Sequence, residues 1–509
     1  MLNITPTKEN FLKLAKKGNL LPVFTEISGD IDTPVSAYFK MALDQKFSFL
    51  LESVEGEEKI ARYSFLATDP ELLIRSKNKI IEILKIKNNR LSKWKSISNR
   101  SPLDVIQKIM SRYRFVETPQ LPRFCGGMVG YLGYDLVRHF EKLPNKPQDD
   151  LDLPELLLVL AKNLLIFDHV NHKLIFVRCV FVEPNLSKNA KMKRYLQAVA
   201  ELNKSVAKIQ KPLKMNKIIL SPQGKDAKST LRSNFTKAAF KGIVLKAKKC
   251  ISQGDIIQVV LSQRLEVDLN LPPIHVYRAL RALNPSPYMY ILNFDRLQII
   301  GSSPELLVRC DQGIVETRPI AGTRPRGRNE KEDIALAKNL LNDPKEKAEH
   351  IMLVDLGRND LGRVCQQGSI HLSEFMKIEK YSHVMHIVSN VRGKLRSNKT
   401  NFDVLQAAFP AGTVSGAPKV RAMEIIDELE NVARGPYAGC IGYFSFSGNL
   451  DSCITIRTIV AYNGKAYIQA GAGIVADSQP QKEYQETLNK AMAQIKAIEK
   501  AHINMGDNP

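Results

Sequence analysis

The stretch Cys440–Ala470 (CIGYFSFSGNLDSCITIRTIVAYNGKAYIQA) decides the fold class of this chain. Its segments Cys440–Ser447, Ser452–Tyr462 and Ala466–Ala470 are short and rich in β-branched and aromatic residues, as is typical of strands. The last two segments flank Asn463-Gly464, a dipeptide favoured in two-residue hairpin turns. The stretch therefore predicts an antiparallel sheet in the C-terminal part of the chain.

Helices are predicted on both sides of these strands. Asp343 and Pro344 are residue types that favour an N-cap and a first helical position, so we expect a helix to begin there. Hairpins interspersed with helices favour an α+β fold with largely antiparallel sheets over a doubly wound parallel fold. Apolar spacing predicts helices over Phe235–Ser252, Lys331–Leu341, Lys345–Asp355, Val420–Leu429 and Gln481–Glu499, and a strand over Ile256–Glu266.

A lysine-rich segment divides the chain. Asn203–Arg232 carries seven lysines and one arginine against a single acid, Asp226, which is typical of a surface connection. We therefore predict an N-terminal domain at 1–205, a connection at 206–230 and a C-terminal domain at 231–509. The N-terminal domain is predicted to hold strands at Lys46–Glu52, Leu164–Asp168 and Lys173–Val182, with close backbone approach at the glycine-rich Gly126–Tyr134.

Composition narrows the class of protein. Lys plus Arg total 74 and Asp plus Glu total 52, which gives a net charge of +22. That charge permits a nucleic-acid partner, but the lysines are spread along the chain and there is one Trp, so we expect none. Seven cysteines without a C-x-x-C pair indicate reduced thiols. No apolar run suits a membrane span and the N-terminus is polar, so we expect a cytoplasmic protein that makes no membrane contact.

Two pairs of carboxylates lie in predicted helices. Glu346 and Glu349 are three residues apart, and so are Glu483 and Glu486. Residues three apart share a helix face, so two such faces turned to one cleft would bring four carboxylates together. This donor set suits Mg²⁺. Either pair alone is also what a solvated helix face contains.

Anion-binding elements accompany the carboxylates. Pro410–Lys419 (PAGTVSGAPK) is a loop that leads into a predicted helix, and its backbone N–H groups would attract a carboxylate. The backbone of Gly471–Gly473 would offer the same groups. Arg457 lies among apolar residues of a predicted strand and therefore needs a partner, which is either a bound carboxylate or an internal salt bridge.

Motifs of high specificity run through both halves of the chain. They are Leu50–Ser53, Arg62–Phe65, Gly126–Tyr134, Gly254–Arg264, Asn284–Tyr290, Gly301–Leu306, Arg318–Gly327, Glu349–Asp360, Tyr381–Val391, Pro410–Met423, Gly471–Val475 and Glu483–Thr487. In these motifs and their order the chain resembles the chorismate-utilising enzymes, and among them most closely the large subunits (component I) of anthranilate synthases. The resemblance implies an α+β fold of large, mostly antiparallel sheets packed together with helices outside.

The resemblance also implies a metal and a set of catalytic groups. Glu349 and Glu486 match the carboxylates that hold Mg²⁺ at the ring carboxylate of chorismate, with Glu346 and Glu483 beside them. Glu305 matches the general acid that assists loss of the 4-hydroxyl, for which its carboxyl must hold a proton near neutral pH.

The remaining site residues follow from the same resemblance. His386 matches the histidine required for loss of pyruvate and aromatisation, and Thr323 joins it in the expected catalytic set. Without the resemblance, a packed core histidine would be the preferred interpretation of His386. The expected substrate contacts are Thr413, Tyr437, Arg457, Ala472, Gly473 and Lys490.

Two positions distinguish the branches of this family. Where family members add water, a lysine base stands at the position of Gln258, and glutamine cannot deprotonate water. Where aminodeoxychorismate synthases commonly carry a lysine nucleophile, this chain has Ala321, which has no nucleophilic atom. These residues favour addition of ammonia followed by elimination of pyruvate.

Partners and regulation are implied in the same way. The chain has no G-x-C-x-G glutaminase motif, so the resemblance implies a separate glutamine amidotransferase subunit (component II) and a hetero-oligomer. It also implies feedback inhibition by L-tryptophan through the N-terminal domain. The residues that match the inhibitor site are Glu52, Ser53, Pro287, Tyr288 and Met289.

The expected reaction is Mg²⁺-dependent conversion of chorismate and ammonia to anthranilate and pyruvate, the first step of tryptophan biosynthesis. The alternative within the family is component I of an aminodeoxychorismate synthase, in the para-aminobenzoate and folate branch. A rival of another class is a basic nucleic-acid-binding protein, whose binding would weaken steeply with salt.

Overall fold

Two large antiparallel sheets share one hydrophobic core and form the frame of the molecule. The structure is a computed structural model, and it describes residues 2–53, 62–87, 90–98, 100–213, 231–381 and 384–506. The helices in these ranges are α1 (Lys8–Leu14), α2 (Pro34–Met41), α3 (Pro102–Met110), α4 (Lys188–Ile209), α5 (Lys237–Ser252), α6 (Pro273–Leu283), α7 (Glu330–Asn342), α8 (Pro344–Gly362), α9 (Asn401–Ala408), α10 (Lys419–Leu429) and α11 (Pro480–Gly506), with 3-10 helices at Tyr134–His139 and Gly412–Val414.

The strands alternate with these helices along the chain. In the first half they are β1 (Leu20–Ser28), β2 (Phe47–Glu52), β3 (Tyr63–Thr68), β4 (Leu72–Lys77), β5 (Ile80–Lys87), β6 (Arg90–Leu91), β7 (Lys95–Ser98), β8 (Gly127–Leu132), β9 (Leu156–Ala161), β10 (Asn163–Asp168), β11 (Lys173–Phe181) and β12 (Arg232–Ser233). In the second half they are β13 (Gln258–Asp268), β14 (Tyr288–Phe294), β15 (Leu297–Ser303), β16 (Leu306–Asp311), β17 (Ile314–Thr317), β18 (Ile320–Pro325), β19 (His371–Lys380), β20 (Val384–Lys394), β21 (Gly416–Ala417), β22 (Cys440–Ser445), β23 (Leu450–Ile454), β24 (Thr458–Tyr462) and β25 (Lys465–Ile474).

Both sheets combine strands from the two halves of the chain. The twelve-stranded sheet has the order β1-β11-β10-β3-β2-β14-β15-β24-β25-β13-β12, and β21 pairs with β13. The thirteen-stranded sheet has the order β18-β20-β17-β16-β23-β22-β8-β9-β4-β5-β6, and β19 and β7 pair with β20 and β5. The halves join where Glu52 of β2 is opposite Met289 of β14 and where Gly130 of β8 is opposite Gly442 of β22.

Alternating side chains along the strands build two hydrophobic layers. In β14, Tyr290 and Leu292 belong to the cluster between the sheets, while Met289 and Ile291 belong to the cluster under α1, α2, α4, α6 and α11. This alternation is the period of two expected for a strand buried on both faces. The twelve-stranded sheet is therefore the middle layer of the molecule, and the α+β architecture with antiparallel sheets and outer helices is confirmed.

The predicted turn and helix start are present. Asn463 and Gly464 have φ of 51° and 75° and connect β24 to β25. The Asp343 carboxylate accepts hydrogen bonds from the backbone of Lys345 and Glu346, and Pro344 is the first residue of α8. This cap fixes the start of the helix that carries the first predicted pair of carboxylates.

The prediction of one strand over Ser452–Tyr462 is wrong. Strand β23 ends at Ile454 in the thirteen-stranded sheet, and β24 begins at Thr458 in the twelve-stranded sheet. The chain crosses between the sheets over the intervening residues, where Arg457 has a φ of 52°. Arg457 therefore lies at a crossover rather than in a strand. The uninterrupted run of β-favouring residues concealed this break.

The division at 206–230 marks a connection in the sequence. Helix α4 continues to Ile209, inside the predicted connection, and residues 214–230 lie outside the described ranges. Because the halves share both sheets, the division into two domains describes the sequence and stays a prediction.

The predicted close approach in Gly126–Tyr134 is confirmed, since a Cβ on Gly127 would lie 2.0 Å from the carbonyl oxygen of Phe444.

Two further observations concern the class of protein. All seven cysteines are free thiols, as expected. A search of the described helices finds none that combines the length and the apolar character needed to cross a membrane.

Candidate active site

A cavity of about 520 Å³ is lined by strands of both sheets and by two helices. Strands β13 and β25 contribute Gln258 and Gly473, and β20 contributes His386. Helices α8 and α11 contribute Glu349 and Glu486, which are far apart in the sequence. The fold thus brings residues of five separate elements together around one cavity, which we call the catalytic cavity.

Carboxylates from α8 and α11 face each other across this cavity. Glu349, Glu483 and Glu486 all line it. Burial raises the pKa of Glu349, and repulsion from Glu346 and Glu486 raises it further. Burial and repulsion from Glu486 also raise the pKa of Glu483. A cation bound between the two helices would relieve this repulsion.

The fourth predicted carboxylate has a different partner. Arg324 of β18 donates to Glu346 at 3.0 Å and to Asp343 at 2.8 Å, so one guanidinium clamps both the cap and the first turn of α8. Glu346 is not among the residues that line the catalytic cavity. The expectation that all four carboxylates converge therefore needs correction. Three of them line the cavity, whereas Glu346 forms an ion pair with Arg324.

The carboxylates form a partial donor set for a metal. Within the described ranges, no group of three or more His, Cys, Asp or Glu side chains is close enough to hold a metal ion by itself. Mg²⁺ is commonly held by one or two protein carboxylates and keeps water or substrate oxygens for its other positions. Glu349 and Glu486, with Glu483 nearby, fit that role.

Glu305 has the properties expected of a general acid. It lies between β15 and β16, and its backbone carbonyl accepts a hydrogen bond from the N–H of Ile454 at 3.0 Å. Burial raises the pKa of Glu305 to about 7, although the Thr413 hydroxyl and the Lys490 ammonium favour the charged form. A substantial fraction of this carboxyl is therefore protonated at neutral pH.

His386 is held in a defined orientation beside Thr323. Its Nδ1 lies 2.9 Å from the carbonyl oxygen of Gly322 and 3.1 Å from the hydroxyl of Thr323. Because a carbonyl can only accept, Nδ1 carries the proton and Nε2 is the nitrogen able to take one up. Burial and the nearby Arg457 lower the pKa of His386, so the neutral ring is favoured. Because His386 also lines the catalytic cavity, it is not an ordinary histidine of the hydrophobic core.

Arg457 is available to an anion in the cavity. Its Nη1 donates to the carbonyl oxygen of Lys490 at 3.1 Å, and no carboxylate of the described residues lies within ion-pair distance of it. Burial lowers the pKa of Arg457, as expected for a cation without a close counter-charge. The alternative of an internal salt bridge is therefore wrong. Tyr437 and Thr413 line the cavity with it, and their contacts with substrate stay a prediction.

Lys490 and the glycine segment form another wall. Lys490 donates to the carbonyl oxygen of Gly471 at 3.0 Å and pairs with Glu486 at 2.7 Å. Gly473 is packed against Gln258, whose Nε2 would lie 2.6 Å from a Cβ at that position. The predicted contact at Ala472 is the exception, because this residue is fully buried in the core and does not line the cavity.

Sequence reasoning missed several residues at the site. Gln469 and Lys345 line the cavity, and Arg324 organises α8 without lining it. Arg324 belongs to the family motif Arg318–Gly327, and that motif was the feature of the sequence that could have identified it. The face of β25 on which Gln469 lies could not be predicted, because the small residues around it show no alternation of apolar and polar side chains.

A second cavity, of about 460 Å³, lies beside β2 and β14. Glu52 accepts a hydrogen bond from the hydroxyl of Tyr277 and pairs with Arg281 at 3.2 Å, and burial raises the pKa of Glu52. Pro287 lines both this cavity and the catalytic one. All five predicted inhibitor residues line the second cavity: Glu52, Ser53, Pro287, Tyr288 and Met289.

These features agree with the comparisons with known proteins. The family of chorismate binding enzymes matches residues 47–496, and the chain belongs to this family. Within the family it is similar to anthranilate synthase component 1 of Acetivibrio thermocellus, with 52% identity over 97% of this chain and 99% of the relative.

Two further comparisons agree. The component 1 protein of Aquifex aeolicus is 47% identical over 98% of both chains. The crystal structure of anthranilate synthase component I from Streptococcus pneumoniae aligns with a TM-score of 0.74 at 38% identity, over 92% of this chain and 98% of that one.

The protonation state of Glu305 predicts a pH dependence. A general acid works when protonated, and this carboxyl loses its proton as the pH rises through about 7. The kcat/KM for chorismate, divided by the concentration of unprotonated ammonia, should therefore fall about tenfold per pH unit above that point. Glu305→Gln should be slow and should lack this limb; a limb unchanged in Glu305→Gln would exclude Glu305 as its source.

Proposed function

We propose that this chain converts chorismate and ammonia to anthranilate and pyruvate, as the aminase subunit of an anthranilate synthase. The observation that carries the proposal is the joint placement of Glu305, His386 and Arg457 in one cavity, where Arg457 has no carboxylate partner among the described residues. These groups supply an acid for the leaving hydroxyl, a neutral imidazole and a cation for a carboxylate. Relatives of nearly full length that bear this name support the assignment.

Substrate orientation would come from charges at opposite walls. Chorismate carries two carboxylates, and Arg457 with Tyr437 suits the enolpyruvyl carboxylate because a guanidinium forms strong paired hydrogen bonds to it. The ring carboxylate would then lie toward α8 and α11. Mg²⁺ held there by Glu349 and Glu486, with Glu483 nearby, would neutralise the ring carboxylate and act as a template. In this proposed orientation the 4-hydroxyl would lie toward Glu305.

The residues of the cavity favour ammonia as nucleophile. Gln258 is 5% exposed and lines the cavity, and a carboxamide cannot act as a base toward water. Ammonia needs no such base. After its addition, His386 is the group placed to accept a proton at Nε2 while pyruvate leaves. Ala321 offers no nucleophile, which favours this route over the para-aminobenzoate branch.

Ammonia is proposed to come from a separate component II. The numbering of the relatives as component 1 supports a complex with a glutamine amidotransferase subunit. The chain would then act as one member of a hetero-oligomer, with free ammonium salts replacing the partner in vitro. We also propose that the complex works in the cytoplasm.

The second cavity is proposed as the site of feedback inhibition by L-tryptophan. Its walls are mainly apolar, with Tyr288, Met289 and Pro287 suited to an aromatic ring, and Glu52 suited to an ammonium group. Because Pro287 lines both cavities, a ligand that displaces the segment before β14 would also alter the catalytic cavity.

The role of His386 gives the central test. The purified chain with chorismate, Mg²⁺ and an ammonium salt should yield equal amounts of anthranilate and pyruvate, measured by fluorescence and a coupled assay. His386→Met should still consume chorismate but should form anthranilate about 10²–10⁴-fold more slowly, because proton transfer is lost. His371→Met, an exposed histidine of β19, is the matched control. Pyruvate without anthranilate in the unaltered chain would refute the proposal.

The metal assignment predicts a change in Mg²⁺ requirement. Glu349→Gln removes a charged donor, so the Mg²⁺ concentration for half-maximal rate should rise by about tenfold or more, since even an outer-shell partner has that effect. Asp355→Asn, an exposed position on the same helix, should leave the titration unchanged. Identical titrations for Glu349→Gln and Asp355→Asn would exclude Glu349 as a ligand.

The inhibitor site predicts selective loss of regulation. Ser53→Phe places a ring inside the second cavity, so the tryptophan concentration for half inhibition should rise by about tenfold or more, one lost contact of about 1.4 kcal/mol being enough. Ser48→Ala alters a buried serine of β2 outside that cavity and serves as control. Equal sensitivity of the two variants, or full activity of the unaltered chain in excess tryptophan, would contradict the proposal.

A further inference from the structure

A small chamber lies behind the catalytic cavity. Its volume is about 40 Å³, and α8, the start of β16 and the loop before β21 line its sides. Glu305 and Thr413 line both this chamber and the catalytic cavity, so they stand in the wall between the two. A cavity of this kind needs about 10–15 Å³ to hold a water, so the chamber has room for at least one water molecule.

The chamber holds buried polar atoms that lack partners. The hydroxyl of Thr413 is buried beside the Glu305 carboxyl, and among the described residues it has no hydrogen-bond partner of ordinary geometry. The same is true of Nε of Arg318, which is also buried. Nη2 of Arg318 donates to Glu374 at 3.4 Å and to Glu379. An unpaired buried donor or acceptor costs about 1–3 kcal/mol, so these atoms favour a small polar guest. The remaining wall is largely apolar, with Leu356 and Ala408 among its residues.

Glu305 needs such a partner during the reaction. When its carboxyl gives a proton to the departing 4-hydroxyl, the C4–O bond breaks, the hydroxyl leaves as water and Glu305 becomes a carboxylate. The ammonia that adds to the ring loses one proton on becoming an amine, which balances the proton that Glu305 gave. Between these events a buried carboxylate has to be stabilised, and burial alone opposes it.

We propose that the chamber binds an ordered water that hydrogen bonds to the carboxyl of Glu305 and the hydroxyl of Thr413. This water donates to Glu305 when the residue is ionised and accepts from it when it is protonated, because water does both. It thereby holds the general acid toward the substrate from behind and solvates the carboxylate without opening the catalytic cavity. Arg318 supplies a further donor at the far side of the chamber. The catalytic part of this inference rests on the proposed function.

The test is a larger side chain that occupies the chamber, introduced from α9, which does not line the catalytic cavity. Ala408, at the end of α9, lines the chamber and is 5% exposed, whereas its neighbour Ala407 is 7% exposed and does not line it. Ala408→Val and Ala407→Val therefore make the same substitution at equally buried neighbouring positions. A high-resolution crystal structure of the unaltered chain should show the water, and one of Ala408→Val should show it displaced.

The kinetic readout compares these two variants. Without the water the Glu305 carboxylate loses a donor, so the alkaline limb of kcat/KM should move up by about one pH unit in Ala408→Val relative to Ala407→Val. At pH 7, kcat should fall by about tenfold with little change in KM for chorismate. Thermal unfolding of the two variants shows whether their stabilities match.

Two results would overturn the inference. One is a chamber without ordered water in the unaltered chain, and the other is a limb and kcat in Ala408→Val equal to those in Ala407→Val. The crystallographic result does not depend on turnover. If the chain made no anthranilate but the water were present between Glu305 and Thr413, the proposed function would fail and the binding site would stand.

Discussion

The hydrogen-bonded pairing of strands from the two halves of the chain is the constraint on which the rest of the structure depends. The ladder between β2 and β14 completes the middle layer, and the ladder between β8 and β22 completes the second sheet. Both cavities lie against these shared sheets. The second cavity takes residues from both halves, whereas the catalytic cavity is lined by residues 258–490, several of them on strands of the shared sheets.

Charge placement around the catalytic cavity follows a simple division. The cations and anions that set the positions of elements are paired within the protein, as Arg324 is with Asp343 and Glu346. Of the groups that face the cavity, Lys490 pairs with Glu486, Arg457 has no carboxylate partner among the described residues, and Glu349 is repelled by its neighbouring carboxylates. A dianionic substrate and a cation would together neutralise much of this charge.

Much of the architecture could be predicted from local signals. The Asn463-Gly464 turn and the Asp343-Pro344 helix start depend on neighbouring residues alone, and both are present. The crossover at Arg457 could not be predicted, because the residues on both sides favour strands. The strand is interrupted there because β23 and β24 belong to different sheets, which is a property of the tertiary fold. At the site, the spacing of Glu346 and Glu349 indicated a shared face, but the competing Arg324 is brought there by tertiary folding.

The order of strands in the twelve-stranded sheet has a consequence for synthesis on the ribosome. The first five strands of that path, β1-β11-β10-β3-β2, are complete by residue 181, yet the partner of β2 is β14, whose first residue is Tyr288. A nascent chain therefore carries an apolar sheet edge while about a hundred further residues are made. Unpaired edges of this kind invite association with other chains. Chaperone demand during translation should thus be concentrated in the interval between β11 and β14.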